Sequence, residues 1–266
     1  MTLQLRHTET WLTAIYLFVL YVLAIFFRGQ PGFFANESLR AGALLGSFGV
    51  VHLLGMVRWQ AKPRLENLLI TVLILLLLSD PDTPIIKMAA LGLVAGLIKT
   101  LIRITNEPVF NPAAAGLFIA SLFGVVTTWW GASFAPRLPF YNMSIAALFT
   151  IPIGVHIILR YQKLPTLISV PLSLAVSYFI FAGRLPITIL LEGTFAFFLL
   201  FMVSEPKTTP VIDWQEWIHG LLLGSLLGFL FVNRLVGSPY IVTLLFMNLL
   251  YSIYRFLSLR PLRKTP

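Results

Sequence analysis

The sequence has no cysteine and very little charge. Without cysteine the chain can form no disulfide, no thiolate metal site and no cysteine-ligated iron–sulfur cluster. Charged residues make up only 11% of its 266 residues, whereas soluble domains carry about 25%. The sequence also has no GxGxxG or P-loop pattern, which argues against direct binding of a dinucleotide or of ATP.

Apolar side chains are abundant instead, at 58% of the chain, and the mean hydropathy is +0.89. Because a bilayer core needs about 20 helical residues, we predict an all-α integral membrane protein with about ten transmembrane helices. The segments at 65–78 and 144–159 are short for a full crossing, and a short helix interrupted by proline must be buried in protein or line a water-filled cavity. The ten apolar segments are about 11–27, 39–57, 65–78, 85–104, 113–127, 144–159, 166–181, 187–203, 215–232 and 239–257.

Two similar stretches, Ser79–Pro84 and Ser204–Pro210, interrupt apolar runs 125 residues apart, and each reads Ser, acid, Pro and then Thr-Pro. A polar residue followed by proline is the usual start of a helix. Four such pairs recur in matching order: Thr83-Pro84 and Asn111-Pro112, then Thr209-Pro210 and Ser238-Pro239. Proline-rich turns can recur by chance in a multi-span protein. We interpret these as an internal duplication with one broken helix in each repeat.

The basic residues predict the orientation of the chain. With ten spans, 13 of the 19 lysines and arginines lie on the side of the two termini. The positive-inside rule then places both termini in the cytoplasm of a multi-pass protein of the cell inner membrane. Five spans per repeat would invert repeat 1, about 11–134, relative to repeat 2, about 140–257, and the two breaks would meet at a central polar site. Topology thus explains the net charge of +9, and no nucleic-acid partner is expected.

Three stretches resemble one known family: Asn106–Ala114, Phe201–Pro210 and Phe246–Asn248. They are similar to elements of two homologous membrane proteins, one from the Rnf electron-transport complex and one from the sodium-translocating NADH:quinone reductase. The resemblance implies two inverted five-helix repeats, similar to the urea and ammonium channels. It also implies a non-autonomous subunit of an ion-translocating oxidoreductase, which passes electrons through flavin and moves Na⁺ or H⁺. Its partners would be other membrane and peripheral subunits and the lipid bilayer.

In that family a threonine in a Ser/Thr-Gly-Ala-Thr element carries covalent FMN, and this sequence has no such element. Covalent FMN is therefore not supported, and the resemblance implies FMN or riboflavin held without a covalent bond. A helix start suits a phosphate or a reduced flavin, although each capping residue can equally be structural. The candidate cofactor-binding residues are Thr83, Asn111, Thr194, Thr208, Thr209, Ser238 and Asn248.

Three acids are candidates for an ion or proton path. Asp80 and Glu205 lie in the two breaks, where unwound carbonyls would add ligands for a small cation. Glu192 is predicted about five residues inside the segment 187–203, where an acid facing lipid costs roughly 2.5 kcal/mol or more. It would face the interior or snorkel to the headgroups, and the sequence leaves both open. The alternative function is a solute or ion channel or transporter on the same scaffold. No catalytic residue and no metal site is predicted.

Other residues are interpreted as structural. Glycines spaced four apart predict faces on which helices pack closely. His52 is interpreted as a satisfied core histidine, and Trp129, Trp130 and Tyr141 are assigned to an aromatic belt at the membrane interface. The glycine sets are Gly42 with Gly46, Gly92 with Gly96, and Gly220 with Gly224 and Gly228.

Overall fold

The computed structural model describes residues 3–28, 33–59, 65–104, 107–133, 145–205 and 207–259, and most of them are helical. Helix α9 continues directly into a π-helical stretch, Phe198–Val203, here called the π segment, and strand β1 (Arg103–Ile104) pairs antiparallel with β2 (Glu107–Pro108). The helices are α1 Leu3–Arg28, α2 Phe33–Trp59, α3 Leu65–Leu78, α4 Ile85–Leu101, α5 Pro112–Ser121, α6 Ile145–Arg160, α7 Leu164–Ala182, α8 Ile187–Leu190, α9 Gly193–Phe197, α10 Asp213–Asn233 and α11 Pro239–Leu259.

Among the residues that the structure describes, five helices, α1, α2, α7, α10 and α11, are long and apolar enough to cross a membrane. Their outer faces expose large apolar side chains such as Val57, which is 80% exposed. Extended apolar surface of this kind suits contact with lipid. The chain is therefore an all-α membrane protein, as the composition predicted. Helix α3 spans residues 65–78 as predicted and is buried along most of its length.

The apolar segment at 113–127 is not one helix, because α5 ends at Ser121. Gly124 takes a left-handed conformation with φ +77° and turns the chain back toward the end of α3. The N–H groups of Thr128 and Gly131 then donate to the carbonyls of Leu78 and Leu77, both at 3.0 Å. This stretch therefore satisfies carbonyls that the last turn of α3 leaves without a helical partner.

The same stretch carries Trp129 into the core, so its assignment to an interfacial belt is wrong, and it leaves Trp130 partly buried against that core. Trp129 is only 6% exposed, and its ring centroid lies 5.2 Å from that of Tyr240. The indole N–H of Trp130 donates to the carbonyl of Leu76 at 2.8 Å. Tyr141, and the predicted junction between the repeats at 134–140, lie outside the described residues.

Helix starts follow the polar–proline pairs in only some places. Asn111 caps α5 with Pro112 at the first position, and α11 begins at Pro239 after Ser238, as predicted. The residue that caps α4 is Pro84 instead of Thr83, and no side chain caps that helix. Helix α10 begins at Asp213, so the predicted start at Thr209-Pro210 is wrong.

Glu192 does not lie inside a continuous helix, contrary to the prediction. It is the N-cap residue of α9, with extended backbone at ψ 142°, where the chain leaves the short helix α8. The apolar run at 187–203 is therefore divided near its start, and this acid occupies the division.

Two of the three predicted glycine faces are confirmed. A Cβ atom at Gly92 would lie 2.8 Å from the carbonyl oxygen of Leu44 on α2, and one at Gly224 would lie 2.3 Å from that of Val170 on α7. The α2–α4 and α7–α10 pairs thus pack at backbone contact. The prediction is wrong for Gly42 and Gly46, where a Cβ atom would meet nothing within 4 Å.

Packing partners correspond between the two halves of the chain. Helix α2 packs on α4, and α7 packs on α10 in the same parallel sense. Helix α1 packs on α3, as α6 packs on α9 and the π segment, and α4 packs on α5, as α10 packs on α11. The contacts of α1 with α6 and of α5 with α11 join the two halves.

Candidate functional site: a cationic cavity at one end of the bundle

A cavity of about 590 Å³ lies at the end of the bundle where α1 begins and α2 and α4 end. This volume falls within the range of about 300–1,000 Å³ that is typical of small-molecule and cofactor sites. Residues of α6, the π segment and the second break close the cavity from the other half of the chain. Its polar lining includes Thr10, Thr13, His52, Asn67, Thr71, Lys99, Thr100, Arg103, Glu107, Asn111, Tyr161, Ser204, Glu205 and Lys207.

Glu205 lies on the wall of the cavity and joins the two halves through hydrogen bonds. The amide Nδ2 of Asn111 donates to its carboxylate Oε2 at 2.8 Å, and the hydroxyl of Thr208 donates to the same oxygen at 3.4 Å. The hydroxyl of Thr209 donates to the Glu205 carbonyl at 2.7 Å. Two threonines of the second break thus form local hydrogen bonds with Glu205, the acid of the same break.

Asn248 on α11 completes this cluster. With its amide oriented to satisfy its neighbours, its oxygen accepts from the Asn111 backbone N–H at 3.0 Å, and its nitrogen donates to the Thr208 carbonyl at 3.3 Å. Asn248 is fully buried. The structure therefore gathers five of the ten predicted site residues: Asn111, Glu205, Thr208, Thr209 and Asn248.

Asn111 has two separable roles, and its variants should divide them. Its Oδ1 accepts from the Ala114 N–H at 3.0 Å as the cap of α5, while its Nδ2 donates to Glu205. Asn111→Ser keeps a capping oxygen but loses the donor, whereas Asn111→Ala loses both. We expect Asn111→Ala to lower the unfolding free energy by about 1 kcal/mol more than Asn111→Ser. Equilibrium unfolding in detergent measures the difference, and equal losses would show that the cap does not contribute.

The other five predicted residues lie away from the cavity. Asp80 and Thr83 belong to the first break, where the side chain of Asp80 accepts from the N–H of Asp82 at 3.0 Å. Glu192 and Thr194 lie at the start of α9, and Ser238 lies at the start of α11. Within the described residues the cavity lining includes the second break but none of residues 79–84.

Each break is instead contacted by a buried cation: Arg40 of α2 contacts the first break, and Lys163, directly before α7, contacts the second. In the first half, the side chain of Arg40 is fully buried, forms an ion pair with Glu37 and donates to the Asp80 carbonyl at 2.7 Å. In the second half, Lys163 lies 2.9 Å from Glu216 and donates to the Pro210 carbonyl. Burial lowers the pKa of Lys163, and the carboxylate of Glu216 opposes that shift.

The cavity wall carries three cationic and two anionic side chains. Lys99, Arg103 and Lys207 contribute cations, whereas Glu205 and Glu107 contribute anions. The Glu107 carboxylate already lies 3.7 Å from Arg255 outside the lining. A cavity with this balance attracts an anionic ligand, because its walls concentrate the field of the cations.

Sequence reasoning missed these cations as site residues. The positive-inside rule uses Lys99, Arg103 and Lys207 only to orient the chain in the membrane. His52, interpreted from sequence as a core residue, also lines the cavity. One local signal was present, since Lys99 falls inside the apolar segment 85–104, where a charge is costly. That signal marks a buried lysine but cannot reveal its neighbours.

No family model matches the sequence, and no curated protein is significantly similar to it. The family resemblance carried by the three stretches above therefore remains a prediction.

Proposed function

We propose that this chain is the membrane subunit of a flavin-dependent electron-transport complex and that its cavity holds FMN or riboflavin without a covalent bond. The observation that carries the proposal is a cavity of about 590 Å³ whose wall combines cations with aromatic rings. Flavin is flat and aromatic and gains negative charge on reduction. Cations beside it stabilise the reduced form, which is how a protein tunes a cofactor that does the chemistry itself.

Aromatic side chains of the cavity support this assignment. Phe201 lines it and stacks on Tyr16, with ring centroids 5.2 Å apart and an interplanar angle of 11°. Tyr161 and His52 line other parts of the wall. Rings held in this way provide surfaces on which an isoalloxazine can stack.

The proposed architecture is two inverted five-helix repeats, about 11–134 and 140–257, with both termini in the cytoplasm. It is supported by the corresponding packing partners of the two halves and by the buried cation at each break. The cavity would then open to the cytoplasm, where peripheral partner subunits deliver electrons. Of the three acids proposed for an Na⁺ or H⁺ path, only Glu205 lines the cavity, so the path would begin there.

Flavin binding can be tested by filling the cavity. Met56 lines it, whereas Leu54, two residues earlier on α2, is 66% exposed on the outer face. We expect Met56→Trp to weaken flavin binding about tenfold or more, because a larger side chain occupies ligand volume. Leu54→Trp is the matched control and should bind flavin like the unchanged protein. The measurement is absorbance between about 350 and 600 nm together with flavin fluorescence titration in detergent.

A purified protein that is colourless, and that changes neither the absorbance nor the fluorescence of added FMN and riboflavin, has no flavin site. The same outcome would favour the second candidate, a transporter of a small anionic solute. The observation that favours the transporter is a cavity with cations on its wall whose lining comes from both halves of the chain. Uptake of labelled anions into proteoliposomes measures it.

A further inference from the structure

We infer that the cavity contains a subsite for a phosphate group, centred on the ammonium of Lys99 and completed by Arg103 and Lys207. The inference rests on the proposed function and deepens it, because FMN and riboflavin differ only in a phosphate.

The hydrogen bonds of the Lys99 ammonium go to neutral groups. Its Nζ donates to the carbonyl of Asn67 at 3.1 Å and to the hydroxyl of Thr71 at 3.3 Å, and both partners are neutral. The Thr71 hydroxyl donates its own proton to the Asn67 carbonyl at 2.9 Å, so its lone pairs face the ammonium. An ammonium has three N–H donors, and these two partners leave one for a ligand.

One carboxylate, that of Glu205, acts electrostatically on the Lys99 ammonium, and it acts on Lys207 as well. None of the direct ion pairs found in the described part of the chain includes Lys99, whose ammonium also lies 5.2 Å from the ring centroid of Phe48. Helix α4 places this charge inside a membrane bundle, where an unpaired charge is unfavourable. An anion in the cavity would balance the positive charge that the Glu205 carboxylate, shared between Lys99 and Lys207, leaves in excess.

Neighbouring groups make the subsite more suitable for phosphate than for a single negative charge. Arg103 and Lys207 line the same cavity as Lys99. The Glu205 carboxylate on the same wall is shared between Lys207 and Lys99, so one carboxylate faces more than one cation. A phosphate carries close to two negative charges and three acceptor oxygens, which several cations bind better than one.

His52 adds a further polar atom at this wall. Its Nε2 is buried and has no partner in the described part of the chain, and its ring stacks on Phe48, with centroids 6.0 Å apart. Phe48 therefore contacts both Lys99 and His52. Lys99 and His52 both line the cavity.

Comparing FMN with riboflavin isolates the phosphate. We expect the unchanged protein to bind FMN about tenfold or more tightly than riboflavin, because charge-assisted hydrogen bonds to phosphate are strong. Lys99→Met should remove most of this preference and leave riboflavin affinity within about twofold. Lys87→Met is the matched control on the same helix, because Lys87 lies outside the cavity and donates to the Gly124 carbonyl at 3.2 Å. Fluorescence titration at two salt concentrations measures all affinities.

Inorganic phosphate tests the subsite separately from flavin, by ³¹P line broadening in detergent. Equal affinity for FMN and riboflavin would overturn the subsite and leave the proposed function standing. If neither flavin binds but phosphate does, and Lys99→Met abolishes that binding, the subsite stands and the flavin proposal fails. Competition by phosphatidic acid in nanodiscs would support the subsite and identify its phosphate as a lipid headgroup. Absence of binding by every probe would overturn both proposals.

Discussion

Replacing Arg40 by methionine should lower the unfolding free energy by about 3–5 kcal/mol, because it leaves a buried carboxylate without its counterion. Arg40 and Glu37 are 0% and 1% exposed, and the same guanidinium donates to the Asp80 carbonyl. The hydroxyl of Tyr21 donates to Glu37 at 2.9 Å, but it cannot neutralise the charge. The loss should therefore release the first break as well as destabilise α2.

The matched control is Arg28→Met. Arg28 lies 3.5 Å from Asp82 in the same region, but the Asp82 side chain is 79% exposed, so this pair contributes only about 0–1 kcal/mol. A double variant, Glu37→Gln with Arg40→Met, removes both charges and should recover part of the stability that Arg40→Met loses. Equilibrium unfolding in mixed detergent micelles compares the three variants. Equal stability of Arg40→Met and Arg28→Met would show that the buried pair does not hold the break.

Gly224→Ala should separate α7 from α10. The added Cβ atom would lie 2.3 Å from the Val170 carbonyl oxygen and 2.9 Å from the Leu174 nitrogen, and backbone atoms cannot rotate away as side chains do. Overpacking of this kind costs about 1–3 kcal/mol and occasionally more, which exceeds the gain of up to about 1 kcal/mol in helix propensity. We expect a net loss of stability in detergent.

Gly46→Ala provides the comparison, because it makes the same change in an open position of α2. A Cβ atom at Gly46 would meet nothing within 4 Å, so the propensity gain should appear without a steric penalty. Thermal unfolding of the two variants under identical conditions measures the contrast. A stabilised Gly224→Ala protein would show that the helices of this pair are free to move apart.

The sequence predicted local features well where one helix decides them. The run at 65–78 gave the bounds of α3, since its ends are marked by a charged stretch before and a polar break after. Asn111-Pro112 predicted a capped helix start, because a cap depends on three neighbouring residues. Thr209-Pro210 failed as a helix start because Thr209 bonds backward to Glu205 instead of forward into α10.

Features that depend on contacts between distant residues were not predictable. Gly42 and Gly92 look alike in sequence, yet only Gly92 meets another helix, because the direction in which a helix face points is set by the whole bundle. Lys99 was visible as a charge in an apolar run, but its place in one cavity with Lys207 depends on how the second break packs. Of the predicted site residues, Asn111, Glu205 and Asn248 meet, and Asp80 lies elsewhere.

The amino-acid sequence by itself determined the membrane class, most of the helix bounds and the positions of the two breaks, because apolar length and proline act over a few neighbouring residues. Only the tertiary structure decided that a cationic cavity forms at one end and that each break is held by a buried cation. Those arrangements arise when residues many positions apart pack against one another, and the chemistry of a site depends on which charges that packing brings together.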